Sequence, residues 1–253
     1  MDMDTYQILG VKFHNVDMAE ALQIMEGFLK EEGSHLVVTV GPEMIMRAQE
    51  DPEFKRIVNE ADLVVPDGIG VIWAAERCGI ELKERVAGVE LIEKFAAVLA
   101  SKEERPGLFL LGAAPGVSEK TAQKLVERYP GLNIAGTGDG FFKEDETAVA
   151  NIKSSGAQVV YAALGSPKQE KFVRQHGEQA KIKVGVGVGG SFDVISGLKK
   201  RAPQFFVKLH LEWFYRLLCE PSRWRRFLAI PRFMLAVAKQ KGEAVRKWEE
   251  ALQ

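Results

Sequence analysis

Short apolar runs alternate with amphipathic stretches from the first residues to about Gly197. Tyr6–Phe13 reads as a strand pair, or as one strand broken at Gly10. Asp17 is placed to cap a helix whose Met18, Leu22, Met25 and Leu29 recur at helical spacing. His35–Val40 is a β-rich run, and helices are expected through Met44–Gln49 and from Pro52 to about Glu60. Leu63–Val65 is a buried strand stopped by Pro66, since proline cannot continue the ladder. Helices follow over Ile69–Cys78 and Gly88–Ala100, with the charged connection Gly79–Arg85 between them. Further strands are expected at Leu108–Leu111, Asn133–Gly136, Gln158–Leu164 and Ile182–Val188. The intervening helices run to Tyr129, over Asp145–Ser154, and onward from Gly165-Ser166-Pro167.

This order predicts an α/β fold: a Rossmann-like, mainly parallel sheet with helices on both faces. Residues 1–198 form the expected catalytic core, and 199–253 a basic, amphipathic helical appendage. In the appendage Phe206, Leu209, Trp213 and Leu217 make one apolar stripe. Because every predicted strand precedes Gly197, a chain cut near that point is expected to keep a folded core. Five strand-end loops carry glycine beside polar groups: Thr39–Pro42, Pro66–Gly70, Gly112–Gly116, Gly165–Gln169 and Gly187–Asp193. In such sheets these loops gather on one side, where bare amides and helix N-termini favour a phosphate-bearing ligand.

Charge sharpens that picture. The 253 residues have a net charge of −1, but residues 199–253 hold 13 Lys/Arg against 5 Asp/Glu, leaving 21 against 30 elsewhere. A basic segment on an acidic body points to an anionic partner such as phosphate, nucleic acid or a lipid headgroup. The two cysteines are far apart in sequence, the N-terminus has no signal-peptide pattern, and no long uncharged apolar run is present. A cytoplasmic protein is the expectation.

Asp67 directly follows the strand ended by Pro66 and precedes Gly68 and Gly70. It is the candidate acid of the crevice, with helix capping as the ordinary alternative. The string Gly185–Gly190 matches G-x-G-x-x-G, yet Ser191-Phe-Asp-Val and a basic turn follow it, so a nicotinamide-dependent oxidoreductase is disfavoured. Asp2-Met3-Asp4 sits at the terminus, the four histidines are scattered, and no metal site or cofactor is expected. Arginines would then carry the charge of a diphosphate. Arg216, Arg223 and Arg226 share one face if their helices are collinear; a solvated or lipid-facing stripe is the other outcome. Gln169 could simply start a helix, and Arg85 could pair with Glu81 or Glu84.

Ala61–Gly70, Glu84–Gly88, Leu110–Gly116, Leu164–Glu170, Gly187–Asp193, Lys200–Pro203, Leu211–Arg216 and Pro231–Phe233 occur in this order across nearly the whole chain. Together they resemble the WecG/TagA/CpsF glycosyltransferases, and within them the TagA branch of wall teichoic acid synthesis. The resemblance implies transfer of N-acetylmannosamine from UDP-N-acetylmannosamine to polyprenyl-diphosphate-linked N-acetylglucosamine, without a metal, at the inner face of the plasma membrane. It assigns Asp67 as general base, and Thr39, Gly41, Arg85, Gln169, Gly189 and Gly190 to the substrate pocket. It gives the donor diphosphate to Arg216, Arg223 and Arg226. Gly41 stands where the family usually has Asn, which leaves open a related UDP-sugar such as N-acetylmannosaminuronic acid or glucose. The partners implied are the sugar donor, the lipid-linked acceptor and the membrane surface, with no nucleic acid; a homo-oligomer is left open. A non-catalytic nucleotide-sugar or nucleic-acid binding module is the rival of a different class, separated by a transfer assay and by the salt dependence of RNA binding.

Overall fold

The computed structural model describes residues 4–199, 203, 205–206, 212–219, 228–240 and 245–247. Strands β1 (Thr5–Ile8) and β2 (Val11–His14) form an antiparallel hairpin. Its two-residue turn is Leu9-Gly10, with φ of 51° and 75°, the left-handed pair that a tight hairpin requires. Of the two readings of Tyr6–Phe13, the strand pair is therefore correct. Helix α1 (Met18–Phe28) starts at a capping box: Asp17 Oδ1 accepts the Glu20 N–H at 2.8 Å, and Glu20 Oε2 accepts the Asp17 N–H at 2.9 Å.

The main sheet has six parallel strands in the order β4-β3-β8-β7-β5-β6. They are β3 (His35–Val40), β4 (Leu63–Pro66), β5 (Leu108–Gly112), β6 (Ile134–Gly138), β7 (Val159–Ala163) and β8 (Val184–Gly187). Helices α2 (Pro42–Glu50) and α3 (Pro52–Asn59) connect β3 to β4; both open with proline, which has no amide to leave unpaired at that position. Then come α4 (Ile69–Arg77), α5 (Gly88–Ser101), α6 (Val117–Arg128), α7 (Asp145–Ser155), α8 (Lys168–His176) and α9 (Ser191–Ile195).

Two apolar layers sandwich the sheet. Leu36, Val38, Val40, Val64, Phe109 and Leu111 face one, and Val37, Leu63, Val65, Leu108 and Leu110 face the other. Burial on both faces explains why these strands read as unbroken apolar runs. The Tyr161 hydroxyl, fully buried on β7, donates to the Ile92 carbonyl at 2.8 Å and ties the sheet to α5. His14 plays a similar part between the hairpin and β4. Its Nδ1 accepts the Val64 N–H at 3.0 Å, and burial followed by the charge of Lys12 lowers its pKa to about 4.

The C-terminal region departs from a simple appendage. Past α10 (Glu212–Cys219), helix α11 (Ala229–Lys239) packs on α2 and α4 with Phe233 and Val237 buried. Strand β9 (Val245–Lys247) then pairs antiparallel with β1, making a separate three-stranded sheet. A strand thus follows Gly197, and Ala229–Lys239 belongs to the core packing. Burying Phe233 removes a whole aromatic side chain from water, a contribution of roughly 1.5–3 kcal/mol.

Candidate active site

Parallel strands deliver their carboxyl ends to one edge, so the strand order decides which loops meet. From β4 inward the consecutive ends carry Asp67, then Thr39 and Gly41, then Gly189 and Gly190, then Gln169. Four sequence segments far apart in the chain thereby form one row. The sheet opens there as α/β crevices do.

Asp67 continues β4 past Pro66, and its own N–H donates to the Val40 carbonyl at 2.9 Å. That bond fixes the backbone beside β3, so the side chain leaves from a rigid base. Its Oδ2 accepts the Gly88 N–H at 3.2 Å. Capping position for α4 falls to Gly68, whose φ of 88° suits glycine and which has no side chain to cap with. The segment before Gly88 is held as well: Val86 N–H donates to the Pro66 carbonyl at 3.0 Å, which brings half-buried Arg85 to the same strand end. Glu84, which precedes Arg85, accepts the Met18 N–H at 2.8 Å.

Thr39 belongs to this group through Gly88. A Cβ on Gly88 would lie 3.0 Å from Thr39 Oγ1 and 3.5 Å from Asp67 Oδ2. Hydroxyl, carboxylate and helix-opening amide therefore converge on one spot. Gly41 is the cap of α2 at φ −111° and ψ 173°, an extended backbone open to any residue. A Cβ there would stand 3.3 Å from the Asp67 carbonyl oxygen, so a larger side chain fits with a small adjustment.

Across β8, buried Gln169 reaches the next loop: its Oε1 accepts the Gly189 N–H at 3.0 Å. Among the described residues, a Cβ placed on Gly189 or Gly190 would have no heavy atom within 4 Å. α9, which starts directly after them, is a single short turn ending at Ile195. The G-x-G-x-x-G string thus lacks the long helix that a dinucleotide fingerprint opens.

Arg216 lies on α10; Arg223 and Arg226 are outside the described residues. Arg232 on α11 pairs with Glu50 of α2 at 2.6 Å. Helix α11 comes close to the acid's loop, for Phe233 Cε1 is 3.8 Å from a Cβ position on Gly70. Among the described residues no three His, Cys, Asp or Glu side chains gather as a metal site.

Two residues of this region escaped the assignment from sequence. Gly88 is 21 positions from Asp67, and no local pattern announces their contact. Glu170, fully buried, is an acid at helical spacing from Val173, and an acid on an apolar stripe was a usable signal.

The profile of the glycosyl transferase WecG/TagA/CpsF family matches residues 6–247. A Bacillus spizizenii protein is 37% identical over 240 residues, covering 94% of this chain and 93% of its own. Relatives from Staphylococcus aureus (35% over 236 residues, 92% of both chains) and Bacillus subtilis (33% over 240 residues, 94% and 93%) match as fully. Each of the three is named N-acetylglucosaminyldiphosphoundecaprenol N-acetyl-beta-D-mannosaminyltransferase. With a fold, a crevice and near-complete alignment in agreement, the chain belongs to the WecG/TagA/CpsF glycosyltransferase family.

Proposed function

We propose that the protein transfers N-acetylmannosamine from UDP-N-acetylmannosamine to undecaprenyl-diphosphate-linked N-acetylglucosamine, as a step of teichoic acid linkage-unit synthesis. The observation that carries this reading is the convergence of Asp67, Thr39 and the Gly88 amide at the end of β4. The names of the relatives supply donor sugar and acceptor.

In the reaction Asp67 takes the proton of the acceptor hydroxyl as that oxygen attacks the anomeric carbon. The bond from this carbon to the donor's phosphate oxygen breaks, and the electron pair leaves with UDP. Displacement is direct, so the anomeric configuration inverts. Arg216, Arg223 and Arg226 meet the negative charge that grows on the diphosphate, so the reading requires no metal. Gly189 and Gly190 leave room for a sugar or phosphate, and Arg85, Thr39 and Gln169 border the pocket.

The lipid-linked acceptor implies work at a membrane surface. No helix among the described residues is long and apolar enough to cross one. Among the exposed large apolar side chains of those residues, all but Val126 and Phe141 fall between Leu198 and Leu235. Beside the basic charge of that region they suit a helix lying in the headgroup layer of the inner leaflet.

A panel of UDP-sugars offered with a short-chain lipid-diphosphate N-acetylglucosamine acceptor tests the proposal. Transfer of N-acetylmannosamine at least about 10-fold faster than of glucose or N-acetylmannosaminuronic acid is expected, the scale of one or two specific polar contacts. Preferential transfer of another sugar, or none of any, would contradict it.

A further inference from the structure

The first turn of α8 presents two polar side chains to the sheet instead of to solvent. Gln169 is 4% exposed and Glu170 0%. Both press on the end of β8, where a Cβ at Gly187 would come within 2.7 Å of Gln169 Nε2 and 2.9 Å of Glu170 Oε1. Glycine at 187 therefore makes space for this pair.

The Gln169 carboxamide is engaged at both ends. Oε1 accepts from the Gly189 N–H at 3.0 Å, and Nε2 donates to Glu170 Oε1 at 2.7 Å. A backbone amide can only donate, which dictates that the oxygen faces the loop and the nitrogen faces Glu170. Without an acceptor at 170, nothing at that end would hold the amide in this orientation.

Glu170 is costly where it stands. Its Oε2 is buried without a hydrogen-bond partner, as is the neighbouring Ser166 hydroxyl. Burial raises the carboxyl's pKa, opposed by the Gln169 hydrogen bond, by its own backbone N–H, by Ser166 and by the charge of Arg47. An apolar side chain of similar size would fill the same space at less cost. Packing alone does not account for an acid here.

We propose that Glu170 is a positioning residue for sugar transfer: it holds Gln169 Nε2 so that Oε1 stays on the Gly189 amide and fixes the Gly187–Gly190 turn beneath the substrate. This rests on the reading of Gln169 and Gly189 as pocket residues. The consequence is specific. Removing the carboxyl oxygen frees the carboxamide, while an isosteric amide at 170 keeps an acceptor in place.

The test compares wild type, Glu170→Gln and Glu170→Leu, each labelled with 15N-glutamine. Two quantities are read: hydrogen exchange of the Gln169 side-chain amide, assigned by its loss in Gln169→Leu, and kcat/KM for transfer. Slow exchange is expected in wild type and Glu170→Gln, and at least about 10-fold faster exchange in Glu170→Leu, the scale of one lost hydrogen bond. Transfer should fall roughly 10-fold in Glu170→Leu and stay within about 2-fold of wild type in Glu170→Gln. Surface-like exchange of Gln169 in the wild type overturns the proposal even if no variant folds. So does wild-type transfer by a folded Glu170→Leu protein, or equal loss in both variants. If wild type itself transfers nothing, the functional reading has failed, and the exchange rates still report whether Glu170 holds Gln169.

Discussion

Gly88→Ala is expected to separate stability from turnover. The residue opens α5, where alanine is favoured over glycine by up to about 1 kcal/mol. The new methyl would stand 3.0 Å from Thr39 Oγ1, 3.4 Å from Thr39 Cγ2 and 3.5 Å from Asp67 Oδ2. Only the first contact is tight, and a rotation of Thr39 that relieves it costs roughly 0.5–1.5 kcal/mol. The two terms nearly cancel, so the melting temperature should stay within about 3 °C of wild type. Catalysis has no such compensation. The methyl displaces the Thr39 hydroxyl, which faces the Asp67 carboxylate, by a few tenths of an ångström. A full ångström of misplacement costs on the order of 10²-fold, so roughly a 10-fold fall in kcat/KM is expected. Circular-dichroism melts and a UDP-release assay on a soluble acceptor measure both. Undiminished kcat/KM at unchanged melting temperature would show that the Thr39–Asp67–Gly88 cluster is not where the reaction occurs.

Four further outcomes follow from the structure. His14 has its folded pKa lowered to about 4, so the unfolded chain takes up a proton first as pH falls; stability should drop between roughly pH 6.5 and 4 and level off below, and urea titrations of wild type and His14→Gln, which lacks this step, check it. Phe233→Ala should cost about 3 kcal/mol in the same titration, because the ring is wholly buried against α2 and α4; a cut after Gly197 should be destabilising for the same reason. Gly41→Asn should leave stability within about 1 kcal/mol, since the backbone is already extended and asparagine caps helices slightly better than glycine, while shifting the KM for the donor sugar if position 41 reads it.

Most of the main sheet was legible because its strands are buried on both faces and read as unbroken apolar runs, as Leu63–Val65 does, although β4 runs through Pro66 and not up to it. Helix starts were legible at Asp17 and Pro52, whereas the helix expected from Met44 begins at Pro42. Strand β9 was not. Val245–Lys247 sits in a charged stretch with no apolar alternation, and it is a strand only because β1 offers an open edge far away in sequence. The stripe of Phe233 and Val237 is visible at i, i+4, yet its partners on α2 and α4 are a tertiary fact. The site divides the same way. Asp67 and Gln169 follow strands, Thr39 lies near the end of one, and all three could be picked out, whereas the Gly88 amide and the buried Glu170 gain meaning only through contacts across the sheet ends.

Asp67→Asn addresses the central claim most directly. Asparagine keeps an oxygen that can accept the Gly88 N–H now 3.2 Å from Oδ2, so the loop and the donor pocket should survive. What it removes is the ability to take a proton. Calorimetric binding of UDP-N-acetylmannosamine should stay within about 3-fold of wild type, while turnover at saturating donor falls by roughly 10²-fold or more, the scale of a lost general base. Near wild-type turnover in that variant would remove Asp67 from the mechanism and contradict the account.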